Sequence, residues 1–285
     1  MPLEADTRYR ALAARDARFD GRFFVGVKTT GIYCRPVCPA RTPRRERCTF
    51  FETAAAAERD GFRACFRCRP ELAPGNAQMD ATSRLVNAAV SRIAAGVLNE
   101  GSVEDLAESL GVTDRHLRRV LVEALGVSPV EFAQTARLAL AKRLLHDSSL
   151  GLSELAFASG FQSVRRFNSA FDARFHRSPT SVRREAQEDR SAGVRLRLDY
   201  RPPFDWSSAL RFFAARAMPG VEAVEGDIYR RTVHVGSAKG WLSVEPHHTQ
   251  PALVATLSSS LLGELMPIVA KLRRVFDLDA HPTEV

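Results

Sequence analysis

Two short cysteine pairs, Cys34 with Cys38 and Cys65 with Cys68, constrain this chain more than any other feature. Ligands three or four positions apart can turn back toward one ion, and a second pair closes a tetrahedron of four sulfurs at roughly 2.3 Å. Between the pairs lie 26 residues, Pro39 to Ala64, enough for a strand, a turn and a short helix. The spacing predicts a small α+β domain stapled by one Zn²⁺ ion with four cysteine ligands. On spacing alone the site is structural, since most four-cysteine zinc sites only hold a small domain together. Cys48 is the odd fifth cysteine; it opens a CTFF run that reads as a short strand and is expected to be an ordinary thiol. No second paired framework remains, so disulfides are not expected.

Charge points to a partner. Against 33 acidic residues stand 41 basic ones, giving +8 at pH 7 and a pI near 9.7. Nucleic acid is the natural partner for that balance, although the same charge also serves ordinary solubility. At 285 residues the chain has room for two or three domains, each with its own core. It shows no secretory n-region and h-region and no apolar stretch near 18 residues, which argues against export and membrane spanning. The Pro- and Gly-rich run at 70–76, PELAPGN, reads as a linker, with a boundary expected near Met79.

The flanks of the cysteines carry more than spacing does. They read FFVGVKTTGIYCRPVCPARTPRRERCTFFETAAAAERDGFRACFRCRP from Phe23 to Pro70. TTGIYCRP before the first pair, an RxCxRC second pair and the Gly61-Phe62 entry resemble the N-terminal domain of the Ada family of bacterial DNA-alkylation repair and response proteins. The resemblance implies that zinc-bound Cys34, the first cysteine of the motif, takes a methyl group from a methylated DNA phosphate. Cys38, Cys65 and Cys68 are then ligands that keep it a thiolate. It also implies that Thr30, Arg41, Arg63 and Arg67 contact DNA; the alternative for these four is a solvated basic surface. The run Arg41 to Arg47, with four arginines and Pro43, suits a phosphate-facing loop.

The chemistry agrees with that reading. A free cysteine is mostly protonated near neutral pH, whereas a metal-bound thiol is deprotonated and still nucleophilic. Four thiolates and one Zn²⁺ sum to −2, and such a cluster can attack a methyl ester with phosphate as leaving group and no added base. Nothing in the sequence suggests a way to regenerate the thiolate, so one turnover per molecule is expected. Methylating Cys34 takes the cluster from −2 to −1. Against a phosphate about 8 Å away that change is worth on the order of 0.5 to 2 kcal/mol, for effective dielectrics between 80 and 20.

From Ala81 to about Arg190 the pattern is helical and contains a weak repeat. One copy runs Leu106-Ala107, Leu110-Gly111-Val112, Leu117, Val120-Leu121, Leu125 and Ser128-Pro129; the other runs Leu155-Ala156, Ser159-Gly160-Phe161, Phe167, Ala170-Phe171, Phe175 and Ser178-Pro179. Matched positions lie 49 residues apart before the turn and 50 after it. Each copy reads as two short helices joined by a glycine turn. Two copies that each end in Ser-Pro, the second reading SGFQSVRRFNSAFDARFHRSP, resemble the DNA-binding domain of the AraC family of transcription regulators. With the apolar residues turned inward, Arg115, His116, Arg118 and Arg119 face outward on the first reading helix, and Arg165, Arg166, Asn168 and Ser169 on the second. Arg and Asn suit bidentate contacts with guanine and adenine edges, and each arginine can equally meet phosphate. A helix from about Val130 to His146 is expected to join the two modules over roughly 25 Å. His116 has no partner at helical spacing, so a metal role is not expected for it.

After Arg190 the texture becomes α+β. Strand-like alternation at Val233, Val235, Trp241 and Val244 accompanies helices expected over Trp206–Ala217 and Leu261–Phe276. RLDYRPPFDW, ALRFFAARAMPGVE and GWLSV resemble the N-terminal domain of the AlkA family of alkyladenine DNA glycosylases. That resemblance places catalysis in a later helix-hairpin-helix domain, which would be expected to begin where the chain stops at Val285. Base excision by these residues alone is not expected. Asp277 and Asp279 are read as helix-end or loop residues, and His247-His248 as a surface loop.

The expectation is a multidomain chain: a small α+β four-cysteine zinc domain (1–78), an all-α double helix-turn-helix domain (79–190) and a C-terminal α+β domain (191–285). The resemblances imply an alkylation-response regulator of the bacterial cytoplasm and nucleoid, monomeric, with double-stranded DNA and RNA polymerase as partners. Two alternatives stay open: a transcription factor with only structural zinc, and part of a bifunctional regulator and DNA-3-methyladenine glycosylase II.

Overall fold

The computed structural model describes residues 3–74, 84–185, 194–280 and 282. The boundaries expected near Met79 and Arg190 lie outside the described residues. Contacts group the chain into two compact units, 1–139 with 279–285, and 140–278.

In the first unit, α1 (Ala5–Ala14) precedes β1 (Phe24–Val27), β2 (Ile32–Cys34), β3 (Cys48–Phe51), α2 (Ala54–Arg59) and β4 (Arg63–Ala64). The strands form one sheet in the order β3-β1-β2-β4. β1 pairs antiparallel with β2 and β3, and β2 pairs parallel with β4. That parallel register sets Tyr33 beside Ala64, so the segments ending in Cys34 and leading to Cys65 run side by side. Gly26 is required by its neighbours: a Cβ there would lie 2.8 Å from the rings of Phe51 and Phe62, which themselves meet edge-on at 5.4 Å. The strand, turn and short helix expected between the cysteine pairs are β3 and α2, with a 3-10 turn at Arg45–Arg47 ahead of them.

The same unit continues with α3 (Arg84–Ala94), α4 (Val103–Ser109) and α5 (Asp114–Leu125), and α6 (Pro129–Asp147) follows. Val86, Ala89 and Ile93 of α3, Val103, Leu106 and Ala107 of α4, and Leu117 and Leu121 of α5 make one buried cluster. Val120 and Leu125 pack on it only partly buried. Local chemistry sets the helix ends. Ser102 and Asp105 form a reciprocal capping box at the start of α4, Thr113 caps α5 by accepting from the His116 N–H, and Gly126 ends α5 at φ +75°.

The second unit repeats this pair as α7 (Leu152–Ala158) and α8 (Val164–Phe175), followed by α9 (Pro179–Glu185). The glycine turns are Gly111 and Gly160, at φ +71° and +85°, a backbone region in which a Cβ is strained. Next come β5 (Val194–Asp199), α10 (Trp206–Ala214), β6 (Glu222–Glu225), β7 (Ile228–Val235), β8 (Ala238–Pro246), β9 (Ala252–Leu257) and α11 (Leu265–Val275). These five strands form an antiparallel sheet in the order β5-β9-β8-β7-β6. Trp206, Phe213, Tyr229 and Phe276 join it to its helices through ring contacts of 4.8–5.9 Å.

Two helices are shorter than expected from sequence. α10 ends at Ala214, and the final helix begins at Leu265 after a 3-10 stretch over Ser259–Glu264. Pro267 fits the first turn of α11, where its missing N–H would have no intrahelical partner, and cannot sit deeper in a helix.

Candidate metal centre and nucleic-acid interface

Cys34 ends β2, Cys38 follows a tight turn in which its N–H donates to the Arg35 carbonyl at 3.1 Å, and Cys65 and Cys68 lie just beyond β4. The Cys65 N–H donates to the Tyr33 carbonyl at 3.0 Å, tying one pair to the other. The four sulfurs lie within 4.8 Å of one another, and all four residues are buried, Cys34 at 9%, Cys38 at 6%, Cys65 at 9% and Cys68 at 8% exposure. Cys48 is buried in the same core but is not one of the four grouped sulfurs, and its thiol donates to the Arg44 carbonyl at 3.3 Å. Burial pushes its thiol up from the ordinary range.

The donor set fits zinc. Four sulfurs within 4.8 Å of one another cannot all be anionic without a cation among them, and a divalent metal supplies that charge. Soft sulfur donors converging from two loops in a buried, disulfide-free setting are the ligand type and count of a closed tetrahedral site. Cys34, Cys38, Cys65 and Cys68 therefore form a site for one Zn²⁺ ion.

A second layer braces the sulfurs, and sequence reasoning missed it. The Arg35 N–H donates to Cys68 Sγ at 3.4 Å and its guanidinium to the Cys68 carbonyl at 3.3 Å. The same guanidinium grips Asp20, Nε to Oδ1 at 2.9 Å and Nη2 to Oδ2. Both residues are 5% exposed. Of this, sequence offered only the CRP tripeptide of the motif.

Around the cluster, Thr30 is exposed in the turn between β1 and β2, Arg41 is exposed after Cys38, Arg63 is half-buried in β4, and Arg67 is exposed between Cys65 and Cys68. Arg45 of the basic run lies over the Phe50 ring at 5.2 Å and pairs with Asp6 at 3.5 Å, so part of that run is held by the domain itself.

On α5, Arg115 and Arg119 are exposed, while His116 and Arg118 are half-buried. Arg118 reaches Glu104 at 3.2 Å and Asp114 at 3.3 Å, and Arg119 pairs with Glu123 at 3.1 Å. On α8, Arg165, Arg166, Asn168 and Ser169 are exposed, opposite the buried Phe167, Phe171 and Phe175. Asp277 is exposed at the end of α11, and His247 and His248 follow β8 in a turn. Among the described residues no helix is long and apolar enough to cross a membrane.

A tetrathiolate zinc site and paired helix-turn-helix units, followed in the chain by an antiparallel sheet with its helices, define a modular zinc-binding helix-turn-helix protein. Residues 7–71 match the metal binding domain of Ada, residues 106–185 a helix-turn-helix domain and residues 195–285 the AlkA N-terminal domain, so the chain carries all three. It is 39% identical over 283 residues to the probable bifunctional transcriptional activator/DNA repair enzyme AlkA of Mycobacterium tuberculosis, covering 97% of this chain and 57% of that protein. With the bifunctional transcriptional activator/DNA repair enzyme Ada of Escherichia coli it shares 35% identity over 154 residues, 53% of this chain and 40% of that one. The chain thus spans about half the length of these relatives. Among solved structures it is similar to the Escherichia coli Ada protein in complex with DNA, at 32% identity over 48% of this chain and 94% of that chain, with a TM-score of 0.24.

Proposed function

We propose that the chain is an alkylation-responsive DNA regulator in which Cys34 irreversibly accepts a methyl group from a DNA methyl phosphotriester, and in which the two helix-turn-helix units bind promoter DNA to activate transcription. The observation that carries the reading is the four-sulfur cluster at the end of β2, in the sequence setting TTGIYCRP. Bound zinc supplies the charge that keeps four crowded sulfurs deprotonated. The Cys34 sulfur uses a lone pair to form a bond to the methyl carbon. The carbon–oxygen bond breaks, and its electron pair stays on the phosphate oxygen, restoring a diester anion. No proton moves. The product is a thioether, so each molecule reacts once and works as a single-turnover methyltransferase. Thr30, Arg41, Arg63 and Arg67 would hold the backbone beside Cys34, and Arg115, His116, Arg119, Arg165, Arg166 and Asn168 would meet the promoter, with Arg118 partly held back by its carboxylates. The chain would act as a monomer in the bacterial cytoplasm, with RNA polymerase as a further partner. The three-domain division at residues 78 and 190 belongs to the same proposal.

A second reading, structural zinc in a transcription factor, is favoured by one observation: Cys34, at 9% exposure, is buried about as deeply as its three fellow ligands, at 6 to 9%. Incubating zinc-loaded protein with DNA carrying radiolabelled backbone methyl groups, then mapping the acceptor by mass spectrometry, separates the two. One label per chain on Cys34 is expected. Unlabelled protein after exhaustive challenge would leave only the promoter-binding reading.

A further inference from the structure

α2 touches more than its own domain. Thr53 caps it by accepting from the Ala56 N–H at 3.0 Å, and the same hydroxyl reaches the carbonyl of Leu125, the last residue of α5, at 3.5 Å. Carbonyls at that end of a helix have no intrahelical donor, so even a long contact has a waiting acceptor. The Arg59 guanidinium lies against Gly126, where a Cβ would come within 3.2 Å of both its terminal nitrogens. Between them sits Glu58, 6% exposed. Its Oε1 accepts from the Tyr33 hydroxyl at 2.9 Å and its Oε2 from the Thr135 hydroxyl of α6 at 2.7 Å.

A carboxylate is costly to bury unless its oxygens are hydrogen-bonded, so Glu58 holds its donors in place. The donors here belong to two parts of the chain. Tyr33 precedes Cys34, is 3% exposed, and offers its carbonyl to the Cys65 N–H, so it touches both cysteine pairs. Thr135 stands on the helix that follows the first reading helix. A continuous bonded path therefore runs from the cysteine pairs through Tyr33 and Glu58 to α6.

We propose that α2 is a clasp between the sulfur domain and the first helix-turn-helix unit, with Glu58 as the positioning residue that ties the Cys34 strand to α6. The two-state element that such coupling requires is the sulfur domain itself, whose order depends on its metal. Order around the cysteines is thereby passed to the DNA reader. The clasp deepens the reading of Cys34 as acceptor, but its test does not depend on methyl transfer.

Glu58→Gln can disturb folding beneath Tyr33, so Thr135 carries the experiment. Amide hydrogen exchange is followed in the full chain, zinc-loaded and after chelation, for wild type, Thr135→Val and Thr135→Ser. In wild type, chelation is expected to raise exchange in α2 and, on the order of tenfold, in residues 129–139 as well. In Thr135→Val the α2 response should persist while the rise in 129–139 falls below about twofold, and Thr135→Ser, which keeps the hydroxyl, should behave as wild type. If residues 129–139 ignore chelation in wild type, or respond as fully in the valine variant, the clasp is overturned. Methyl uptake measured on the same samples reports separately: a wild type that takes no label loses the acceptor reading, and the exchange result still decides the clasp.

Discussion

Asp20 and Arg35 face each other largely shielded from solvent, and their pairing bears directly on Cys68. Removing one partner of a buried ion pair typically costs about 3 to 5 kcal/mol, because the surviving charge stays desolvated without its counter-charge. Asp20→Asn is therefore expected to destabilise the zinc-loaded sulfur domain by about that amount, read as a lower urea midpoint with unchanged slope. A change within about 0.5 kcal/mol would show the pair to be dispensable. The four cysteines were legible in the sequence because a metal site demands ligands at short, regular spacing. Asp20 and Arg35 were not: fifteen positions separate them, and only the fold makes a surface-type residue pair into a buried one. The same holds for Glu58, whose place in an alanine-rich helix gives no hint of its two hydroxyl donors.

Each helix-turn-helix pair separates a buried face that folds from an exposed, charged face that is proposed to read DNA. In α8, Phe167 and Phe171 are fully buried, and Phe171 meets Phe167 at 5.6 Å and Phe175 at 4.5 Å between ring centres. Phe171→Ala should cost about 3 to 5 kcal/mol, whereas Arg165→Ala, on the exposed face, should leave stability within about 0.5 kcal/mol and weaken promoter binding. Paired unfolding and DNA-affinity measurements check both; an Arg165→Ala protein with native promoter affinity would remove that residue from the reading surface. The repeat made these helices legible, since apolar residues three and four apart and a glycine turn are local signals. What the pattern left out is the carboxylate company of the charged residues. Arg115 and Arg118 looked equivalent, yet Glu104 comes from the preceding helix to engage Arg118. Strand-like and helical stretches of the C-terminal part were also legible, while the end of α10 and the start of α11 shift by three and four residues, the latter where Pro267 must stay in the first turn.

For the molecule as a whole, the proposed function asks how a small chemical change at one sulfur would alter affinity for a long polyanion. With zinc bound, the tetrathiolate carries −2, and a methyl group on Cys34 leaves −1 without adding a single contact. One unit of repulsion removed from a phosphate about 8 Å away is worth on the order of 0.5 to 2 kcal/mol, or up to about thirtyfold in affinity. The term is long-ranged and partly exposed, so salt must erode it: the screening length falls from about 10 Å at 0.1 M to about 3 Å at 1 M. Contacts made by the reading helices lose affinity with salt too, but equally in both forms, so the ratio of methylated to unmethylated affinity isolates the cluster. Promoter affinity measured across a salt series should therefore show a methylation gain that is largest at low salt and shrinks toward unity as salt rises. Equal affinities at every salt concentration would eliminate the charge switch. A gain that is large and indifferent to salt would instead place the coupling in the bonded path through Tyr33, Glu58 and Thr135, because hydrogen bonds to a buried carboxylate are screened little.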